Sequence, residues 1–263
     1  MALVFTQSAQ HWVNHGQASA VDNLAQNANG FTLCGWVYRT ANGVNQTLCS
    51  KDGAGTTGFN FLIDNGNAEG GLRFIVFRAT SINDYQSSGG EVALNTWTFV
   101  AATFQDSLST EMDIYTATLG NLASEVSYAV TSNGSGTSTD DSSIDLYVGN
   151  VVRADTNPVA GRIANWLIFD TRLTLPQIQL VQYNPLAIRA NCVLNCDYHD
   201  STANQGDLSG TGTDGTITGA SSADHAPIST WTPRSAMPLA SNSLALVKGG
   251  IVNQGLVNTG LIR

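Results

Sequence analysis

The chain has 263 residues, 42% of them hydrophobic, which is enough to bury a sizeable core. Only 12% are charged, the formal net charge is −9, and Lys51 and Lys248 are the only lysines. Such an acidic surface repels phosphate backbones and anionic bilayers, which argues against nucleic acid and membranes as partners.

With so few charges, the surface is carried by Ser, Thr, Asn, Gln and Gly. That suits an all-β protein of an extracellular or virion surface better than a cytosolic enzyme. The opening MALVFTQSAQHW lacks the basic and apolar regions of a signal peptide. No apolar run approaches the ~18 residues of a membrane helix. The expectation is a soluble chain outside the general export route.

Residues 2–6 read as a short apolar strand and 11–15 (HWVNH) as another. In the second, His11, Val13 and His15 lie on one face and Trp12 on the other. Two histidines on one face with no further ligands nearby read as solvated or hydrogen-bonded groups. Asp22 and Asn23 follow in a connection, where they fit either a turn or calcium ligation through side-chain oxygens.

Residues 31–40 (FTLCGWVYRT) form the strongest strand signal, aromatic and β-branched with no proline. The turn Ala41-Asn42-Gly43 and the apolar run 45–51 predict a hairpin. Cys34 and Cys49 lie on its two arms, where they could sit opposite each other, leaving open a disulfide or two buried thiols. Further strands are expected at 59–64, 71–80, 97–104, 111–118, 125–130, 144–148 and 161–171, with turns rich in Gly, Asn and Asp between them. That spacing indicates an antiparallel sandwich or barrel. A single helix opens at Thr174 with Pro176 in its first turn. It carries Ile178, Leu180 and Val181 as its apolar face and ends at Asn184-Pro185.

The ordered blocks FTLCGWVYRT, WTFVAATF, DIY, LYVGN and GRIANWLIFDTRLTLPQI resemble a LamG-like module of the concanavalin A-like lectin/glucanase superfamily. Gln177 stands where an acidic residue is usual. The resemblance covers residues 1–185 and implies an all-β fold, an antiparallel jelly-roll β-sandwich with one short helix. Residues 1–190 are assigned to this sandwich and 191–239 to a β-rich extension packed on or beside it. Within the extension, residues 200–219 resemble the Asp-Ser…Gly-rich loop and strand found near the start of many such modules. Cys192, Cys196 and His199 fit zinc spacings poorly.

Residues 240–263 read as an extended arm. From Gly250 the sequence repeats every five residues, GIVNQ-GLVNT-GLIR. Its apolar pairs Ile251 and Val252, Leu256 and Val257, and Leu261 and Ile262 are assigned to contacts with a neighbouring subunit.

The superfamily includes glucanases, whose chemistry needs two carboxyl groups about 5–5.5 Å apart in retaining enzymes. The pattern E-x-D-x-x-E begins at Glu111 and Asp113, but its third position is Thr116. Both acids are therefore read as solvent-facing strand residues, and no catalytic residue is expected. There is no nucleophile elbow, phosphate loop or HExxH zinc motif. For glycan binding, Trp12 and Trp231 are the candidate platforms, while Trp36, Trp97 and Trp166 sit in apolar strands and are assigned to the core. Asp140 and Asp141 join Asp22 and Asn23 as possible calcium ligands; no other cofactor is implied. The functional expectation is a non-enzymatic virion surface component, a capsid decoration or cement protein of a bacteriophage, docked to other protein subunits, whether copies of itself or capsid proteins. The alternative is a carbohydrate-binding, lectin-like adhesion module that is extracellular or on a cell surface.

Overall fold

The computed structural model describes residues 2–7, 10–66, 68–106, 110–151, 157–198 and 204–224. They fall in one compact unit, Met1–Ile228. The expected arm at 240–263 lies outside the described residues.

The strands in chain order are β1 (Ala2–Phe5), β2 (Trp12–Gly16), β3 (Phe31–Arg39), β4 (Gln46–Asp52), β5 (Gly58–Asp64), β6 (Gly71–Val76) and β7 (Asn83–Ser87). Next come β8 (Trp97–Phe104), β9 (Met112–Thr118), β10 (Ser124–Glu125), β11 (Tyr128–Ser132), β12 (Leu146–Val148) and β13 (Gly161–Phe169). After the helix α1 (Leu175–Tyr183) follow β14 (Cys192–Cys196), β15 (Asn204–Gln205), β16 (Gly215–Thr218) and β17 (Ser221–Ala223). They form an eight-stranded sheet, β10-β9-β8-β3-β13-β1-β17 with β14 also on β13, and a nine-stranded sheet, β11-β7-β6-β5-β4-β12-β2-β16-β15. The two sheets make an antiparallel sandwich of the concanavalin A-like kind.

Between the sheets lies one apolar layer built from every second residue: Leu33 and Val37 of β3, Phe59 and Phe61 of β5, Phe74 of β6, and Val100 and Phe104 of β8 among them. Phe31 is its hub, with ring centroids 5.1 Å from Phe59, 5.8 Å from Phe74 and 5.7 Å from Phe104. Such pairs add roughly 0.5–1.5 kcal/mol each beyond burial. Gly35 belongs here for lack of a side chain: a Cβ there would lie 2.4 Å from the Trp166 ring.

The expected hairpin of residues 31–51 does not form. β3 pairs with β8 and β13, and β4 pairs with β5 and β12, so the chain crosses from one sheet to the other at the Asn42-Gly43 turn. The reason is two-sided burial. β3 is apolar on both faces and takes the centre of its sheet, with partners on both edges. The crossing is anchored by Thr40 N–H on Ala160 O at 2.8 Å and by Gln46 Nε2 on Ala41 O at 2.9 Å. Cys34 and Cys49 therefore lie in different sheets, and all four cysteines are free and buried.

Residues 192–223, placed by the sequence in an extension, supply strands to both sheets. β14 pairs with β13, β16 with β2, and β17 with β1. The helix begins with the capping box of Thr174 and Gln177, and Ile178 and Val181 are buried as expected. Leu180 is half exposed. At ~100° per residue it falls roughly opposite the stripe made by positions 178 and 181.

Candidate functional site

Alternation sets the outward chemistry of the nine-stranded sheet. Val13, Val148, Cys49, Phe61 and Phe74 face the core, so the residues next to them along each strand face out. One outward row crosses eight strands, with each residue paired to the next: Thr216, Asn14, Tyr147, Ser50, Asn60, Ile75, Asp84, Ser132. The row is polar apart from Ile75 and the Tyr147 ring. Trp12, two residues before Asn14, shares the face beside Thr218 of β16.

Trp12 and Tyr147 meet edge to face, with ring centroids 6.4 Å apart at 89°. Asp145 Oδ2 accepts from Asn14 Nδ2 at 2.9 Å and from Tyr147 Oη at 3.1 Å. Burial and the adjacent Asp145 carboxylate push the Tyr147 hydroxyl up to about 12, so it remains a donor at neutral pH. All four side chains are half-buried, fixed yet reachable. Further along the face, Asn60 Oδ1 and Thr47 Oγ1 are buried without a partner among protein atoms. Aromatic edge, carboxylate, amides and hydroxyls together match the chemistry of a sugar ring, apolar on its C–H faces and polar at its rim.

The four candidate calcium ligands come together about a lysine at the end of β4, on the inner side of the sheet. Lys51 of β4 is fully buried, and its Nζ donates to Asp22 Oδ1 at 2.9 Å and to Ile144 O at 2.6 Å. Asp141 Oδ1 lies 3.6 Å from the same nitrogen. Asn23 and Asp141 clasp each other: Asn23 N–H donates to Asp141 Oδ1 at 2.7 Å and Asp141 N–H donates to Asn23 Oδ1 at 2.9 Å. Burial raises the Asp141 carboxyl above its ordinary value. Asp140 is exposed and is held below the usual range by hydrogen bonds from Ser142, first its backbone N–H and then its side chain. Among the described residues, no group of three or more His, Cys, Asp or Glu is placed to hold a metal ion.

The two acids of the β9 edge, expected to face solvent, do not. Glu111 is buried, paired to Arg78 at 3.2 Å and bonded by Asn83. Asp113 pairs with Arg172 and accepts from Tyr115 Oη at 2.9 Å. The arginines come from β6–β7 and from the segment leading into α1, contacts remote in sequence. Both carboxylates are engaged in structural pairs, which is no arrangement for an acid and nucleophile.

Trp36, Trp97 and Trp166 are buried, as their apolar strands imply. His15 is buried too: its Nδ1 is 2.9 Å from Thr213 O, so that nitrogen carries the proton, and Nε2 accepts from Tyr198 Oη at 3.3 Å. Burial lowers its pKa to about 4. Trp231 and the arm residues Ile251, Val252, Leu256, Val257, Leu261 and Ile262 lie outside the described residues. Asn14, Asp145 and Tyr147 are absent from the sequence-based site. The alternation of HWVNH carried a signal for Asn14, since Trp12 and Asn14 share a parity; the pairing of β2 with β12 carried none.

Residues 13–179 match the family profile described as the concanavalin A-like lectin/glucanases superfamily, of the laminin G type. The chain belongs to that family. No curated protein matches it in sequence. Among solved structures it is similar to a candidate carbohydrate-binding protein from Bacteroides ovatus, with TM-score 0.56 and 16% identity, over 86% of this chain and 60% of that one. It is also similar to a heptameric SAP-like pentraxin from Limulus polyphemus, with TM-score 0.46 and 13% identity, over 68% of this chain and 80% of that one. A third likeness is the carbohydrate-binding module of a Ruminococcus gnavus sialidase bound to α2,3-sialyllactose, with TM-score 0.40 and 15% identity, over 60% of this chain and 84% of that one. At these identities the likenesses bear on the fold alone.

Proposed function

We propose that the chain is a non-enzymatic binding module whose ligand is a glycan, taken on the outward face of the nine-stranded sheet. The observation that carries this is the Trp12, Tyr147, Asn14 and Asp145 constellation: an aromatic edge beside a carboxylate already bonded to an amide and a phenol. Trp12 supplies ring-stacking area, and the exposed Thr216 and Thr218 supply hydroxyl contacts beside it. Among the described residues no lysine or arginine joins this constellation, and the ligand proposed is a neutral sugar. A glycan array with wild type and Trp12→Ala tests the reading. Binding that survives the substitution unchanged counts against it.

A second reading concerns where the module is deployed, and the repeat of residues 250–262 favours it. Three glycine-led apolar pairs make a segment suited to bury Ile251, Val252, Leu256, Val257, Leu261 and Ile262 against another protein subunit. On this reading the module decorates a virion surface, with the arm as its anchor and the sandwich presented outward. Co-purification with intact particles, lost on truncation after residue 239, is the expected result. A chain that never sediments with particles contradicts it.

A further inference from the structure

Lys51 is one of two lysines in the chain, and it is fully buried. It sits on β4 opposite Phe59 of β5, in a position that otherwise belongs to the apolar layer. Its ammonium is surrounded by oxygens from two segments distant in sequence: Asp22 Oδ1 at 2.9 Å, Ile144 O at 2.6 Å and Asp141 Oδ1 at 3.6 Å. Asp141 Oδ2 is buried and has no partner among protein atoms. The backbone is shaped to this arrangement. Gly58 has φ +75°, and a Cβ there would lie 1.8 Å from Lys51 O and 3.5 Å from Asp141 Oδ2.

Two carboxylates, one carbonyl and a spare carboxylate oxygen about one buried cation form an oxygen nest. The nest carries one more negative than positive charge, since Asp22 and Asp141 face Lys51 alone. Calcium takes six to eight oxygens at roughly 2.3–2.6 Å; the Asp22 and Ile144 oxygens lie within a few tenths of that range, and Asp141 Oδ1, at 3.6 Å, lies about 1 Å beyond it. We infer that Lys51 is the built-in cation of this junction: it does the work of a divalent metal, and the nest becomes a divalent-cation site when the ammonium is removed. With lysine in place, a second cation is repelled at contact distance. The junction fixes the loop that leads directly into Asp145 and Tyr147, so Lys51 is a positioning residue for the outward face. That last step rests on the glycan reading; the cation step does not.

The test compares wild type with Lys51→Met in calcium and in EDTA, read by melting temperature and by terbium luminescence as a direct probe of the nest. Wild type is expected to melt at one temperature in both buffers and to give no terbium signal. Lys51→Met is expected to melt lower in EDTA and to bind terbium. For a millimolar site, about 10 mM calcium should raise its melting temperature by roughly 3–6 °C. If the variant is unfolded in EDTA, recovery of its near-ultraviolet dichroism on adding calcium is the expected result. A wild type that loses stability in EDTA and regains it with calcium overturns the inference, as does a folded variant blind to calcium and terbium, or an unfolded one that calcium does not restore. Glycan binding is measured separately: its absence from wild type would sink the functional reading and leave the cation result standing.

Discussion

The outward faces of the two sheets differ in chemistry, although their inward faces pack into one layer. On the eight-stranded sheet the outward residues are Cys34, Trp36, Phe99, Ala101, Tyr115, Ala117, Ala164, Leu167 and Phe169, and Leu173, Ile178 and Val181 pack over them. Trp36 Nε1 donates to Gln182 O at 3.0 Å, tying the sheet to the helix. On the nine-stranded sheet the outward row is polar, with Trp12 and Tyr147 half-buried at its β2–β12 end. An apolar sheet face must be lidded to leave water. On the nine-stranded sheet the β2–β12 end is accessible, where Trp12, Asn14, Asp145 and Tyr147 are half-buried; Ser50, Asn60 and Ile75 further along the row are buried. The family fold supplies both sheets, and the outward side chains set the chemistry of each face.

The sharpest way to break this comparison is to damage each face and read stability and binding apart. Trp36→Ala on the lidded face should cost about 3–5 kcal/mol in urea unfolding, through lost packing and an unpaired Gln182 carbonyl, while glycan affinity stays unchanged in the folded fraction. A cost under about 1 kcal/mol would mean that the helix is not a true lid.

Acid tests the inner side of β2, behind the open face. His15 is neutral in the fold, with its pKa lowered from 6.5 to about 4. A lowered base binds fewer protons folded than unfolded, so stability is complete above the unfolded value and falls as pH drops from about 6.5 to 4. The expected loss is on the order of 3 kcal/mol. Asp207 and Asp214 act on the same ring in the opposite direction. Denaturant titrations at pH 7 and pH 4 check this slope, and His15→Gln should flatten it. An equal slope in the variant would place the acid sensitivity elsewhere.

Thr174→Ala removes the hydroxyl of the capping box and should cost about 1 kcal/mol, read in the same unfolding experiment. That value sharpens how much the lid depends on its own first turn. Trp12→Ala, half exposed on the open face, should cost least in stability, about 0.5 kcal/mol. Its effect belongs in binding.

How far the sequence carried the structure differs by region. The strands near 97–104, 111–118 and 161–171 and the helix were legible because alternation, capping residues and proline positions are local signals; the one strand expected at 125–130 is instead two, β10 and β11, in different sheets. The arch after β3 was not: Asn42-Gly43 fits a hairpin equally well, and only the burial of both faces of β3 separates its partners from β4. Asp22 and Asp141 were legible as cation ligands, but nothing local says that the cation is Lys51, which reaches them through pairing of distant segments. Glu111 and Asp113 look solvent-facing by alternation; Arg78 and Arg172, which bury and pair them, come from other elements. The open face was half legible, since Trp12 stood out as an aromatic in a polar strand, whereas Tyr147 reads as an ordinary core residue until β12 is placed beside β2.

The central claim is that the outward face of the nine-stranded sheet recognises a glycan through Trp12. Its most direct test is one glycan array run with wild type, Trp12→Ala and Tyr147→Ala, each first shown to be folded. The account predicts that wild type binds a neutral glycan, that Trp12→Ala loses at least about tenfold in affinity, equivalent to 1.4 kcal/mol, and that Tyr147→Ala falls in the same direction. Undiminished binding in both variants, or no glycan bound by wild type, would contradict it.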